Sequence, residues 1–160
     1  MDQGLITLSS AVGKALAAQG LTISTAESCT GGLLSHVLTG VSGSSDYFVG
    51  GVVAYSNAIK EKALGVETHT LVSYGAVSEQ TAREMAEGIR TKFGTDVGLS
   101  TTGVAGPTGG TPSKPVGLVW MGISTPGETI AFAGHFNGDR LAIMHSTVVE
   151  ILTQLLKTLD

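Results

Sequence analysis

The chain has 160 residues, of which 42% are hydrophobic and 14% charged, and its formal net charge is −4. A chain of this length buries roughly 70% of the surface that its unfolded form exposes, so this composition supports one hydrophobic core and excludes intrinsic disorder. Its nine Lys and Arg residues are scattered, which makes nucleic acid and anionic membranes poor candidates as partners.

The first half of the chain predicts alternating helices and strands. Apolar residues at helical spacing before a glycine indicate a first helix, on Leu5, Leu8, Val12, Leu16 and Gly20. A strand at 21–25 and a helix at 33–38 follow, separated by a polar turn. A valine-bearing run at 48–55 predicts a buried strand, and a short helix at 57–64 ends at Gly65.

The second half predicts one helix, three strands and a long terminal helix. Ser78 has the position of an N-cap for a helix with one apolar face. Strands at 97–102 and 116–125 flank a loop of glycine and proline, and a hairpin turn leads to a strand at 129–136. The terminal helix starts near Asp139. Because the hairpin requires an antiparallel pair, we expect one α/β domain over residues 1–160, with a mixed sheet and helices on both faces.

The turn at 25–32 concentrates hydroxyl, thiol and carboxylate groups between a strand and a helix. Unpaired backbone N–H groups at such a helix start favour an anion or a developing oxyanion. Alternatively, Ser28 or Thr30 is an ordinary N-cap. Cys29 is a rival nucleophile, but no histidine lies near it in the sequence. We therefore favour Ser28 as the nucleophile and interpret Cys29 as a small buried thiol.

Tyr55 and Lys60 are five residues apart and follow the predicted strand at 48–55. The two side chains could face one pocket, where a desolvated lysine loses pKa and can act as a general base. The alternative is that Lys60 is a solvated surface lysine like Lys62.

A third polar segment, the glycine-rich loop at 101–110, directly follows a strand. Its backbone N–H groups can approach a phosphate or carboxylate, although turns use glycine as well. Arg140, beside the start of the terminal helix, is suited to bidentate phosphate recognition. The alternative is that Asp139 and Arg140 form an exposed first-turn pair.

Other classes of site and location are disfavoured by what the sequence lacks. The four histidines stand far apart, so we expect no metal site. One cysteine excludes an internal disulfide framework, and no run of about 20 apolar residues predicts a membrane span. The start of the chain does not read as a secretory signal, and we expect a cytoplasmic protein.

Taken together, six motifs in order closely resemble the CinA C-terminal domain family, which includes stand-alone nicotinamide-nucleotide amidases. The resemblance runs from about Leu5 to Leu156. The motifs are the turn at 25–32, Tyr55-Ser56-Asn57 with Lys60, Gly75-Ala76-Val77-Ser78, 103–110, Lys114-Pro115-Val116-Gly117 and Gly138-Asp139-Arg140.

The resemblance implies a three-layer α/β/α domain with a mixed, mostly parallel sheet. It implies hydrolysis of the carboxamide of nicotinamide mononucleotide, with Ser28 as nucleophile, Lys60 as general base and Tyr55 assisting proton transfer or positioning. The implied reaction needs no metal or cofactor. The resemblance also implies a homo-oligomer, in particular a dimer. The expected substrate-binding residues are Glu27, Thr30, Gly31, Gly32, Thr102, Gly103, Gly106, Gly109 and Arg140. The alternative function is a non-catalytic regulatory module that binds pyridine nucleotides.

Overall fold

Six α-helices and five strands form along the chain in the computed structural model, which describes residues 1–160. In chain order the elements are α1 (Gln3–Gln19), β1 (Ile23–Glu27), α2 (Leu33–Thr39), β2 (Phe48–Val53), α3 (Asn57–Leu64), α4 (Thr68–Tyr74), α5 (Glu79–Phe93), β3 (Val97–Gly103), β4 (Leu118–Ser124), β5 (Thr129–His135) and α6 (Arg140–Leu159).

The strands form one sheet in the order β2-β1-β3-β4-β5. β1 is parallel to both β2 and β3, whereas β4 is antiparallel to both of its neighbours. Four of the five strands therefore run in one direction, and the predicted mixed, mostly parallel sheet is confirmed.

Helices cover both faces of this sheet, as predicted. On one face α1, α2 and α6 share a large apolar core with the sheet, to which Val12, Leu34 and Ile151 contribute fully buried side chains. On the other face α5 packs across β1, β3 and β4, and α3 and α4 pack against α5. The domain has three layers, and coverage of both sheet faces leaves β1 completely buried and β3 buried except at Gly103.

The predicted helix ends are confirmed by their caps. Gly20 and Gly65 adopt the left-handed conformation after α1 and α3, where glycine carries no steric penalty. Ser78 and Asp139 accept hydrogen bonds from backbone N–H groups in the first turns of α5 and α6. These caps are local features, which is why the sequence indicated them.

Two elements, β2 and α4, differ from the sequence-based expectation. β2 is an edge strand with alternating exposure rather than a buried one, because it pairs only with β1 and leaves Val49 and Val53 half exposed. The short helix α4 was not predicted. Its N-cap, Glu67, makes no side-chain capping bond, so the usual signal for a helix start is absent there.

None of the helices is both long enough and apolar enough to cross a membrane.

Candidate active site

The three polar segments predicted from the sequence meet at the carboxyl ends of the parallel strands. Glu27, the last residue of β1, is paired with Val53 at the end of β2 and with Thr101 near the end of β3. The parallel strands therefore end level with one another, and the segments that follow them lie side by side. Open α/β sheets bind ligands at the carboxyl ends of their parallel strands.

Ser28 and Lys60 come into direct contact although 32 residues separate them. The Lys60 Nζ lies 3.0 Å from Ser28 Oγ and donates a hydrogen bond to the main-chain oxygen of Tyr55 at 3.1 Å. Only 1% of Lys60 is exposed, and no carboxylate forms an ion pair with it. Burial lowers the pKa of Lys60 below its ordinary value. A lysine in this environment can be neutral and accept a proton from the serine.

The neighbouring thiol is in the opposite condition. Cys29 is 6% exposed, and burial raises its pKa to about 12. Because the thiolate is the nucleophilic form of cysteine, a thiol with so high a pKa is unreactive near neutral pH. The environment of Cys29 agrees with its interpretation as a buried thiol.

Glu27 lies beneath this turn rather than in the pocket. Its side chain is completely buried, and its carboxylate accepts five hydrogen bonds. The donors are the Thr30 and Ser35 hydroxyls and the backbone N–H groups of Gly32, Leu34 and Ser35. The structure does not place the expected substrate-binding residue Glu27 in the cavity, because the N-terminus of α2 and the Thr30 and Ser35 hydroxyls occupy its carboxylate.

The same contacts decide between the two interpretations of the turn. The N-cap residue of α2 is Gly32, which has no side chain, and neither Ser28 nor Thr30 caps the helix. Glu27 supplies the capping oxygens instead, which leaves Ser28 Oγ free to contact Lys60. The N-terminus of α2 is consequently not available for a substrate anion.

Only part of the backbone of this turn can stabilise an oxyanion. The Ser28 N–H donates to Thr101, the Gly31 N–H to Ser28, and the Gly32 N–H to Glu27. The N–H groups of Cys29 and Thr30 have no partner in the protein. Of the two residues only Cys29 lines the cavity that opens beside Ser28, so its N–H is in a suitable position to bind an oxyanion formed at the atom that Ser28 attacks.

A cavity of about 400 Å³ opens above Ser28 and Lys60. Among the expected substrate-binding residues, the cavity is lined by Thr102, Gly103, Gly106, Gly109 and Arg140. The others do not line it: Glu27, Thr30, Gly31 and Gly32. The glycine-rich loop after β3 therefore contributes more of the wall than the turn after β1 does.

Tyr55 and Arg140 meet at the rim of this cavity. Arg140 Nη2 donates to the Tyr55 hydroxyl at 2.7 Å, and Nη1 donates to the main-chain oxygen of Gly106, also at 2.7 Å. The Tyr55 side chain is 59% exposed, and its hydroxyl contacts neither Ser28 nor Lys60. Tyr55 holds Lys60 through its main-chain oxygen, which favours the positioning role over proton transfer by the phenol.

The cavity has the electrostatics of an anion site. Its lining includes the guanidinium of Arg140 but no aspartate or glutamate. In the adjoining loop, five backbone N–H groups donate to no other group of the protein: Ala105, Gly106, Thr108, Gly109 and Gly110. Unpaired N–H groups beside a guanidinium are suited to a phosphate or carboxylate.

Outside the turn at 25–32 and the glycine-rich loop at 101–110, three further residues line the cavity that sequence reasoning did not assign to the site: Asn57, Ala76 and Val77. All three lie in motifs that carried the family resemblance, so a signal for them was present. Asn57 is the first residue of α3, and the other two precede the N-cap of α5.

Comparisons with known proteins identify the family of this chain. The CinA C-terminal domain matches residues 5–159. A CinA-like protein of Salinibacter ruber is 56% identical over 137 residues, covering 86% of this chain and 33% of that protein. A CinA-like protein of Kosmotoga olearia is 58% identical over 121 residues, covering 76% of this chain and 29% of that protein. The chain thus spans about a third of the length of these curated relatives.

A solved structure extends the similarity to the whole chain. The competence/damage inducible protein CihA from Agrobacterium tumefaciens superposes with a TM-score of 0.97 at 36% identity, covering 100% of this chain and 98% of that one. Together with the domain match over residues 5–159, this shows that the chain belongs to the CinA C-terminal domain family.

Proposed function

We propose that the protein hydrolyses the carboxamide of nicotinamide mononucleotide to nicotinate mononucleotide and ammonia, with Ser28 as nucleophile and Lys60 as general base. The observation that carries this proposal is the buried Lys60 amine, 3.0 Å from Ser28 Oγ and without a carboxylate partner. A buried lysine beside a hydroxyl is the arrangement that activates a serine without histidine or metal.

The contacts support a two-stage reaction. Lys60 takes the proton of Ser28 as Oγ attacks the amide carbon, and the free N–H of Cys29, which lines the cavity, stabilises the resulting oxyanion. Lys60 then returns this proton to the amide nitrogen, the C–N bond breaks, and ammonia leaves behind an ester of Ser28. Water, deprotonated by Lys60, attacks that ester, releasing the carboxylate and restoring the serine.

The other end of the cavity favours a nucleotide substrate. Arg140 uses two of its five N–H donors on Tyr55 and Gly106, so three remain for a ligand. The unpaired N–H groups of the glycine-rich loop lie beside it. We assign the 5′-phosphate to this end.

The expected homodimer stays a prediction, compatible with the exposed Val49 and Val53 on edge strand β2.

The first test is ammonia release from nicotinamide mononucleotide by the purified protein, compared with Ser28→Ala and Lys60→Arg. Arginine keeps a positive charge but cannot become neutral. Each variant is expected to lower kcat/KM by at least about 1,000-fold, because nucleophile and base act as a unit. The exposed Lys62 on the same helix supplies the control, Lys62→Arg, which should retain wild-type activity.

Undiminished turnover by Ser28→Ala would contradict the serine mechanism. If the wild-type protein binds the nucleotide in calorimetry but releases no ammonia over hours, the non-catalytic binding module is the correct description instead.

A further inference from the structure

Most polar side chains of the cavity already have partners within the protein. Ser28 contacts Lys60, Tyr55 contacts Arg140, and the Thr102 hydroxyl donates to the main-chain oxygen of Ala76. Two polar side chains of the lining make no hydrogen bond to the protein: Asn57 and Thr108. They are the two polar side chains of the lining whose hydrogen-bonding groups are all free for a ligand.

Asn57 and Thr108 belong to different ends of the cavity. Thr108 lies in the glycine-rich loop on the side of Arg140. Asn57 is in the first turn of α3, three residues before Lys60. Residues three apart on a helix project from neighbouring positions on its surface. Asn57 therefore lies on the side of the cavity where the reaction takes place.

A bound carboxamide needs both donors and an acceptor from the protein. Its carbonyl oxygen is served by the free N–H of Cys29, which lines the cavity. Its nitrogen carries two N–H donors, yet no carboxylate lines the cavity and the Tyr55 main-chain oxygen is engaged by Lys60. The side-chain oxygen of Asn57 is an uncommitted acceptor on that side.

We propose that Asn57 is a specificity-determining residue that binds the substrate carboxamide, with Oδ1 accepting a hydrogen bond from the amide N–H. This inference rests on the proposed function. The contact orients the plane of the amide toward Ser28 and distinguishes a primary amide from an ester, which has no N–H to donate. A site built around such a bond discriminates strongly against analogues that lack the donor.

The test compares two substrates that differ only in this group: nicotinamide mononucleotide and the methyl ester of nicotinate mononucleotide. The constant measured is kcat/KM, which reports the steps up to acylation of Ser28. Asn57→Ala and Asn57→Leu both remove the acceptor, and leucine keeps a similar volume. Both variants are expected to lose at least about tenfold on the amide, equivalent to about 1.4 kcal/mol, and less than about twofold on the ester.

The matched control is Asn137→Ala, which changes the only other asparagine, an exposed residue outside the cavity lining. It should leave both rates unchanged. Equal losses on amide and ester, or no loss on either, would overturn the role of Asn57 while leaving the proposed function intact. If the wild-type protein releases no ammonia, the proposed function itself is wrong, and this inference fails with it.

Discussion

Lys60 has almost no exposed surface, yet no ion pair compensates its charge. Desolvation disfavours the charged form, which is the direct cause of its lowered pKa. The sequence could not decide whether Lys60 is buried, because Lys60 and the exposed Lys62 lie on the same helix with similar neighbours. The spacing could not show which lysine points inward, and packing against the turn that carries Ser28 decides it.

The buried charge predicts a stability that depends on pH. The folded protein binds the Lys60 proton less tightly than the unfolded chain, for which the ordinary value of 10.5 applies. Between the lowered pKa and 10.5 the unfolded chain holds more protons, so stability rises with pH over that window. At lower pH the full penalty for the buried charge remains.

Replacing Lys60 with methionine should therefore inactivate the protein and stabilise it. Near neutral pH we expect the free energy of unfolding to rise by about 1 to 4 kcal/mol, as when other buried charges are replaced by apolar groups. The gain should shrink as the pH approaches 10.5. Urea denaturation at several pH values measures it, with Lys62→Met as the exposed control. A gain independent of pH would contradict this account.

At the scale of elements, the start of α2 shows how a local rule can identify a feature and miss its chemistry. The sequence predicted a helix N-terminus after β1 with a hydroxyl cap or a free anion site. The structure has the helix but caps it with Glu27, from the end of the preceding strand. Only Oε1 and Oε2 in their folded positions reach both the backbone and the hydroxyls of this turn.

Glu27→Gln tests the strength of this cap. Glutamine has nearly the same shape, but its NH₂ group replaces one oxygen and faces donors that need an acceptor. We expect the free energy of unfolding to fall by about 3 kcal/mol, because donors to a buried charged group lose their partner. The urea midpoint should drop with an unchanged m-value. The exposed Glu87 provides the matched variant, Glu87→Gln, and an equally small effect of both would argue against the cap.

At the scale of the whole molecule, Arg140 links three segments that are far apart in the sequence. It starts α6, binds the glycine-rich loop at Gly106 and reaches Tyr55, which lies 85 residues away. The protein carries a net charge of −4, yet the lining of its cavity contains Arg140 and no aspartate or glutamate. Folding thus places one of the few permanent positive charges, Arg140, where an anionic substrate would bind.

Arg140→Ala is expected to separate recognition of phosphate from recognition of the base. The KM for nicotinamide mononucleotide should rise by about 10- to 150-fold, the value of hydrogen bonds to a charged group. The KM for nicotinamide riboside, which lacks the phosphate, should change little. Steady-state kinetics on both substrates measures this, with the exposed Lys157→Ala as a control on the same helix. Equal increases for the two substrates would remove Arg140 from the phosphate site.

The elements of this protein are largely determined by its sequence. Apolar spacing and the caps at Gly20, Gly65, Ser78 and Asp139 act within a few residues, so the helices and strands were predicted with small shifts at their ends. The exceptions have physical reasons. α4 lacks a capping side chain, and the exposure of β2 depends on its place at the edge of the sheet.

The site was decided only by the tertiary structure. The sequence placed Ser28, Lys60 and Arg140 among the candidates, but their contacts join residues 32 to 85 positions apart. Distant segments pack together at the level ends of β1, β2 and β3. This packing decides which lysine is desolvated, which carboxylate caps a helix and which N–H groups remain without a partner. Desolvation and hydrogen-bond partners arise from that packing, and no local pattern encodes them.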